Sequence, residues 1–330
     1  MWQEFKEVLD RFQKFVLTTH VNPDGDGLGS QIALASLIRY LGKEAKIVNP
    51  NGTPTNYRFI DIDNEIISFE EAEGREMVER CQAIILLDCS DFKRLGREMS
   101  SRVRELRAFK ACIDHHLTVG SGFDLMLVDE RAPATGMLIY QLISSLKGGV
   151  NYKEALALYT AIMRETGSFR FSNTTPEVHK VVAELMGLGI DPQMVYEEVY
   201  EKSSLGRLKL LGNLLANTEM DREGRMAWIV APKELIKGYG VTDAELDGFI
   251  DYPRALADVE LVIFFIEKGD RVRISFRSKG KLDVNRLAQR WGGGGHKNAS
   301  GATIYDSLQE AMNQVLAASK EALENLGETL

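Results

Sequence analysis

Residues 14–43 read KFVLTTHVNPDGDGLGSQIALASLIRYLGK. An apolar, β-favouring run, KFVLT, leads into a polar stretch carrying His20, Asp24 and Asp26, and a helical apolar pattern follows. Glycines alternate with the carboxylates, so the stretch reads as a sharp loop that aims Asp24 and Asp26 at neighbouring points. A strand that is apolar without alternation is buried on both faces, and its polar chemistry then gathers where the strand ends.

The same grammar recurs down the first half of the chain. AKIVN, AIILLD, KACID and DLMLVD are further short apolar runs separated by helical patterns, which together predict a parallel α/β sheet. Asp88 follows AIILL and Asp114 follows ACI, so with His20 they emerge at the carboxyl edge of one sheet, where open α/β folds build their sites. Helices are predicted over 134–147, 151–164 and 175–187, the last entered through Thr175-Pro176. Beyond them lies a polar helical stretch. MAWIVA, VELVIFFIEK and VRISFRS then read as strands, DVNRLAQRW as a helix and SLQEAMNQVLAASKEALENL as a terminal helix. The fold class expected is α/β throughout: a parallel-sheet domain over 1–188, a helical linker over 189–217 and a smaller α/β domain over 218–330.

A chain of 330 residues, 44% of them apolar, can bury more than one core. No uncharged apolar run approaches the ~18 residues that a membrane span requires, so a cytoplasmic protein without a membrane partner is expected. Cys81, Cys89 and Cys112 lie in or beside apolar runs without CxxC spacing and read as reduced, partly buried thiols. The net charge of −8 argues against a protein that coats long nucleic acid. Local charge differs, because Arg271, Arg273, Arg277, Lys279, Lys281, Arg286, Arg290 and Lys297 face only Asp270 and Asp283 within 270–297, a stretch suited to a short anionic ligand.

Four of the five histidines sit in three short motifs: His20 in THVNPDGDG, His115 and His116 in IDHH, and His296 in GGGGHKNASG. His179, in TPEVHKVVAELM, reads as an ordinary helix-surface residue. Asp24, Asp26, Asp88 and His115 form a mixed oxygen and nitrogen donor set suited to Mn²⁺ or a related divalent ion. The glycines before His296 let successive backbone N–H groups approach an anion, with Arg277 and Ser278 upstream.

The order HVNPDGDG, LLDCSD, IDHH, GGGGHKNASG resembles the DHH phosphoesterase family with its DHH-associated carboxyl-terminal domain, over nearly the whole chain. Chain length, TGSFRFSN and RSKGKLDVNRLA make it similar, within that family, to the group combining oligoribonuclease and 3′,5′-bisphosphate nucleotidase activities. The resemblance implies two divalent metals, Mn²⁺ first and Mg²⁺ or Co²⁺ as alternatives. His20, Asp24 and Asp88 would hold one; Asp26, Asp88, His115 and a fourth-motif carboxylate would hold the other. The family has an aspartate before Thr-Gly in that motif, and Glu165 stands there here. Catalytic roles fall on Asp88 as the bridging ligand, on Asp114 orienting a ligating histidine, and on His116 facing the scissile phosphate. Arg277 and His296, with Ser278, Gly294, Asn298 and Ser300, would grip the substrate.

The activity so implied is hydrolysis of short oligoribonucleotides to mononucleotides, and of adenosine 3′,5′-bisphosphate to AMP. A linear or cyclic dinucleotide phosphodiesterase, a RecJ-like single-strand exonuclease and a nucleotide-binding sensor weakened in catalysis are the alternatives. The partners are then single-stranded oligoribonucleotides or small nucleotides, and a homodimer is compatible with the sequence.

Overall fold

Valine, isoleucine and leucine runs too short for helices settle as strands when helices can cover both of their faces. The computed structural model describes residues 2–116 and 120–327, and the chain divides into two compact units, Met1–Lys202 and Ser203–Leu330.

The first unit runs α1 (Trp2–Arg11), β1 (Lys14–Thr18), α2 (Gly25–Tyr40), β2 (Glu44–Asn49), β3 (Ile66–Ser68), α3 (Ala72–Arg80), β4 (Ala83–Leu87), α4 (Arg97–Glu105), β5 (Phe109–Asp114), β6 (Leu125–Val128), α5 (Thr135–Lys147), α6 (Tyr152–Glu165), α7 (Pro176–Gly187) and α8 (Pro192–Tyr200). Its six strands are parallel, in the order β3-β2-β1-β4-β5-β6. Alternate residues of each strand serve different cores. Phe15, Leu17, Ile85, Leu87 and Ile113 pack with α1, α2, α5, α6 and α7, whereas Val16, Ile84 and Leu86 pack with Val78 of α3 and with Met99 and Val103 of α4. Both faces are therefore dry, which is why the strands read as unbroken apolar runs.

The order of the strands reverses between β1 and β4, so the connections leaving these two neighbours run to opposite sides and open a crevice at their carboxyl ends. His20 follows one of them and Asp88 the other.

The NPDGDG segment is not a loop throughout. Asp24 caps α2, its side chain accepting hydrogen bonds from the Asp26 and Gly27 backbone N–H groups, and Gly25 and Gly27 lie in the first helical turn without positive φ. The glycines serve close approach rather than turning. A Cβ on Gly29 would lie 2.2 Å from the Ala157 carbonyl oxygen, and one on Gly27 would lie 2.5 Å from Thr19 Oγ1. Small residues therefore let α2 press onto α6 and onto the end of β1.

The second unit contains α9 (Leu205–Ala216), β7 (Glu219–Met220), β8 (Met226–Ala231), α10 (Lys233–Gly238), β9 (Leu261–Glu267), β10 (Val272–Ser278), α11 (Val284–Gln289), β11 (Gly294–His296), β12 (Ala299–Ile304) and α12 (Leu308–Gly327). Its six-stranded sheet, β11-β12-β10-β9-β8-β7, is antiparallel except where β8 pairs with β9. One face is buried by α11 and α12, and β8 and β9 are covered on the other by α9 and by Phe249 and Ile250. GGGGHKNASG is largely a hairpin of β11 and β12. Of the helical stretch at 189–217, α8 belongs to the first unit and α9 to the second. Among the described residues, no helix is long and apolar enough to cross a membrane.

The packing at Gly29 reverses the usual effect of a glycine-to-alanine change in a helix. Gly29→Ala should destabilise the protein by about 1–3 kcal/mol, since overpacking against a backbone carbonyl exceeds the gain of about 1 kcal/mol in helix propensity. Gly212→Ala in α9, with nothing within 4 Å of the new methyl, should stabilise by up to about 1 kcal/mol. Denaturant unfolding of both variants measures the signs, and a neutral Gly29→Ala would contradict the close α2–α6 contact.

Candidate active site and metal centre

The strand ends place their polar residues in a small volume of the first unit. Asp88 stands one residue past β4 with φ of 56°, a left-handed conformation that costs an aspartate roughly 1–2 kcal/mol. Neighbours hold it there. The Asp88 N–H donates to the Ile113 carbonyl at 3.1 Å, and the Arg94 Nη1 donates to the Asp88 carbonyl at 3.2 Å. The turned backbone aims the carboxylate at three histidines: His20 Nε2 lies 3.4 Å away, His115 Nε2 3.5 Å and His116 Nδ1 3.5 Å.

Each histidine is oriented from behind. The Nδ1–H of His20 donates to the Val21 carbonyl at 2.9 Å, and that of His115 to the Ala132 carbonyl at 3.1 Å, so in the neutral rings each Nε2 turns its lone pair toward the carboxylate cluster, as a cation ligand requires. Asp114 takes its own set of partners. Its Oδ1 accepts from His116 Nδ1 at 2.7 Å and from the backbone N–H groups of His115 and His116 at 2.7 and 3.2 Å, so the ring it orients is that of His116.

Asp26 is gripped at the amino end of α5, where the Thr135 and Gly136 N–H groups each reach one carboxylate oxygen at 2.8 Å. It also lies 3.6 Å from His115 Nε2, while the Thr135 hydroxyl reaches Asp88 at 3.3 Å. Glu165 ends α6, and its backbone carbonyl is tied by Asn173 Nδ2 at 3.2 Å. Donor atoms of His20, Asp24 and Asp88 lie within 4.8 Å of one another, as do those of Asp26, His115 and Glu165.

This donor set fits divalent cations. Two ligands on one such ion, each ~2.1 Å from it, stand about 3 to 3.4 Å apart, close to the 3.4–3.6 Å separating His20 and His115 from the carboxylates. The electrostatics agree. Burial, and next the charge of Asp88, pushes the Asp26 carboxyl well above its ordinary range. Burial likewise raises Glu165, against the pull of His115. Burial works against Asp88 too, but His116 and the bonds to His115 and His20 hold it well below the usual carboxylate range. His115, although disfavoured by burial, is brought up to about 10 by its bond to Asp88 and by Asp26 and Glu165. His116 is raised against burial by Asp114 and Asp88.

The second unit gathers another group. Arg277 on β10 stands opposite Ala299 of β12, whose other neighbour is His296 of β11, so the arginine and the histidine share one face of the sheet. Gly294 lies on the same face. Ser278, Asn298 and Ser300 spend polar atoms inside the unit: Ser278 Oγ donates to the Leu282 carbonyl at 2.8 Å, Asn298 Nδ2 to Ser278 Oγ at 2.9 Å, and Ser300 Oγ to the His296 carbonyl at 2.7 Å.

Sequence reading missed Arg94, Thr135 and Gly136. Nothing in DFKRL sets Arg94 apart from Lys93, although helix-start chemistry after Pro133 could have flagged the N–H pair. Arg94 joins two motif loops, since its own carbonyl accepts the Val21 N–H at 2.8 Å. Burial opposes its charge, and Asp88, Cys89, Asp114 and Asp24 more than restore it.

Comparison with known proteins gives two family matches, the DHH family N-terminal domain over residues 14–163 and the DHHA1 domain over residues 226–325. The bifunctional oligoribonuclease and PAP phosphatase NrnA of Bacillus subtilis is 30% identical, with 96% of this chain and 97% of that protein aligned. The NrnA of Thermus thermophilus is also 30% identical, over 94% and 90%. Among solved structures, an exopolyphosphatase-related protein from Bacteroides fragilis superposes with a TM-score of 0.87 at 28% identity, over 98% of this chain and 95% of that one. RecJ of Thermus thermophilus, solved with Mn²⁺, shares the fold at a TM-score of 0.55 and 15% identity, over 98% and 55%.

Two measurements follow from the electrostatics. To ligate through Nε2, His115 must shed the proton it keeps up to about pH 10, so metal binding at pH 7 should release at least one proton. Apparent Mn²⁺ affinity should then climb roughly tenfold per pH unit between pH 7 and 9, because the protonated form stabilises only the metal-free protein. Calorimetry in buffers of differing protonation enthalpy reads this directly, and a flat affinity without proton uptake by the buffer contradicts it. Arg94→Met removes a cation from among Asp24, Asp88 and Asp114, so the metal-free protein should melt lower and gain more from Mn²⁺ than wild type does. Equal metal-induced shifts in melting temperature would deny Arg94 that role.

Proposed function

The chain belongs to the DHH family, with a DHH N-terminal domain followed by a DHHA1 domain, and from that premise we propose a metal-dependent phosphodiesterase that degrades short oligoribonucleotides to mononucleotides and dephosphorylates adenosine 3′,5′-bisphosphate. The observation that carries the reading is the convergence of the two donor trios around Asp88. His20, Asp24 and Asp88 would hold one divalent ion; Asp26, Asp88, His115 and Glu165 would hold the second. Mn²⁺ suits the mixed carboxylate and imidazole set, with Mg²⁺ or Co²⁺ as substitutes. When bound, such ions withdraw charge from the phosphoryl oxygens and make a water nucleophilic near neutral pH.

The protein's own groups do the rest. Asp114 fixes the His116 ring and favours its protonated form, so that His116 can offer an N–H to the developing charge or to the leaving oxygen. Backbone N–H groups of Thr135 and Gly136 hold Asp26 in one orientation while metals and substrate change around it. In the second unit, Arg277 and His296 grip a phosphate beside Gly294, where the backbone has no side chain to stand between it and an anion. Ser278, Asn298 and Ser300 support that segment through the bonds described above. The substrate class and the three free thiols, Cys81, Cys89 and Cys112, fit a reducing cytoplasmic setting. The functional domains on this reading span 1–188 and 218–330, with 189–217 joining them.

A product time course with Mn²⁺ on di-, tri- and longer oligoribonucleotides, cyclic dinucleotides and adenosine 3′,5′-bisphosphate tests the proposal. We expect kcat/KM to be highest at roughly two to five nucleotides, because net negative charge and a single basic stretch give long strands few added contacts. Asp88→Asn should remain folded and lose more than about a hundredfold in turnover, since one amide cannot replace a carboxylate shared by two cations. Efficiency that rises steadily with strand length would favour a long-strand exonuclease, and turnover confined to cyclic dinucleotides would favour that class instead.

A further inference from the structure

The basic stretch of the second unit sorts into two kinds of residue. Arg286 pairs with Asp283, Arg290 with Glu321, and Lys279 donates to the Leu256 carbonyl, so these cations are engaged within the unit. Arg273 is different. Among the described residues it makes no ion pair, and its Nε is buried without a hydrogen-bond partner.

Register fixes where Arg273 points. Across β9 and β10, Val262 pairs with Arg277, Phe264 with Ser275 and Ile266 with Arg273, so Arg273, Ser275 and Arg277 stand on the face of Val262, Phe264 and Ile266. Towards the other edge, Ala299, Gly301 and Thr303 of β12 stand opposite Arg277, Ser275 and Arg273, with His296 and Gly294 of β11 beyond. Over β10, β12 and β11 this face therefore carries small residues between two arginines and a histidine. Over β9 that face is covered by Phe249 and Ile250, whose segment also touches β10, whereas the small residues of β12 and β11 allow a flexible chain to lie close to those strands. Four residues of strand put Arg273 about 13 Å from Arg277.

We propose that Arg273 is a second phosphate subsite, which takes a phosphate further along the same oligoribonucleotide than the one gripped by Arg277 and His296. This rests on the reading of Ser203–Leu330 as the anion-gripping unit, and it makes Arg273 the residue that separates substrates by length. A dinucleotide is too short to reach it, whereas a tetranucleotide gains a charge-assisted contact to a guanidinium that no carboxylate engages.

The test compares kcat/KM for a ribo-dinucleotide and a ribo-tetranucleotide on the full chain with Mn²⁺. Arg273→Gln should lower the tetramer-to-dimer ratio about tenfold, through KM, and make the salt dependence for the tetramer shallower by roughly 0.7 in the log–log slope. Arg273→Lys, which keeps the charge, should retain most of the ratio. Because both substrates are measured on one preparation, any loss of folded protein cancels. A wild-type ratio in Arg273→Gln overturns the subsite, as does an equal fall for both substrates. Arg277→Ala should lower both lengths together; if it lowers neither, the reading of the whole unit fails rather than the length subsite alone.

Discussion

Asp26, Asp88 and Asp114, all buried, and the half-buried Glu165 place carboxylates around one small volume, and like charges there repel unless cations or N–H dipoles stand among them. Most of the local architecture answers that constraint. Asp26 has two backbone N–H groups at the amino end of a helix, and Asp114 has two more together with the His116 ring. Asp88 has three imidazoles within 3.5 Å and a guanidinium on its carbonyl. What these groups leave uncompensated is the charge that divalent ions would supply. The raised His115 reflects the same surplus of negative charge around it.

Satisfying that charge requires backbone to come close, and the glycines of α2 make this possible. Gly29 lets α2 lie against the Ala157 carbonyl of α6, and Gly27 lets it lie against Thr19 at the end of β1. The helix that carries Asp24 and Asp26 is thus locked to the helix that ends in Glu165 and to the strand that ends near His20. A methyl at either position would push one donor away from the others. Geometry of packing and geometry of ligation are one problem here.

The second unit distributes its charge differently. Its basic stretch carries arginines whose surroundings differ with the register. Arg273 and Arg277 share a sheet face with small residues, while Arg286 and Arg290 are spent on Asp283 and Glu321. Equal charge in the sequence therefore has unequal consequences in the fold.

Much of this was legible in the residues alone. Unbroken apolar runs at KFVLT, AIILL and KACID specified parallel strands buried on both faces, because only such strands tolerate no polar alternation, and the polar residues after them had to surface at one edge. The three predicted helices of the first half lie within a residue of α5, α6 and α7 for a similar reason, since local caps such as Asn151 and Thr175-Pro176 act over a few residues. Tertiary structure decided what depends on distant partners. The strand order that brings β1 beside β4, the bond from the Asp88 N–H to the Ile113 carbonyl, and the N–H pair of Thr135 and Gly136 on Asp26 all join segments far apart in the chain. GGGGHKNASG shows the same division: glycines carry little strand propensity, and pairing of β12 with the more distant β10 is what sets this hairpin into the sheet.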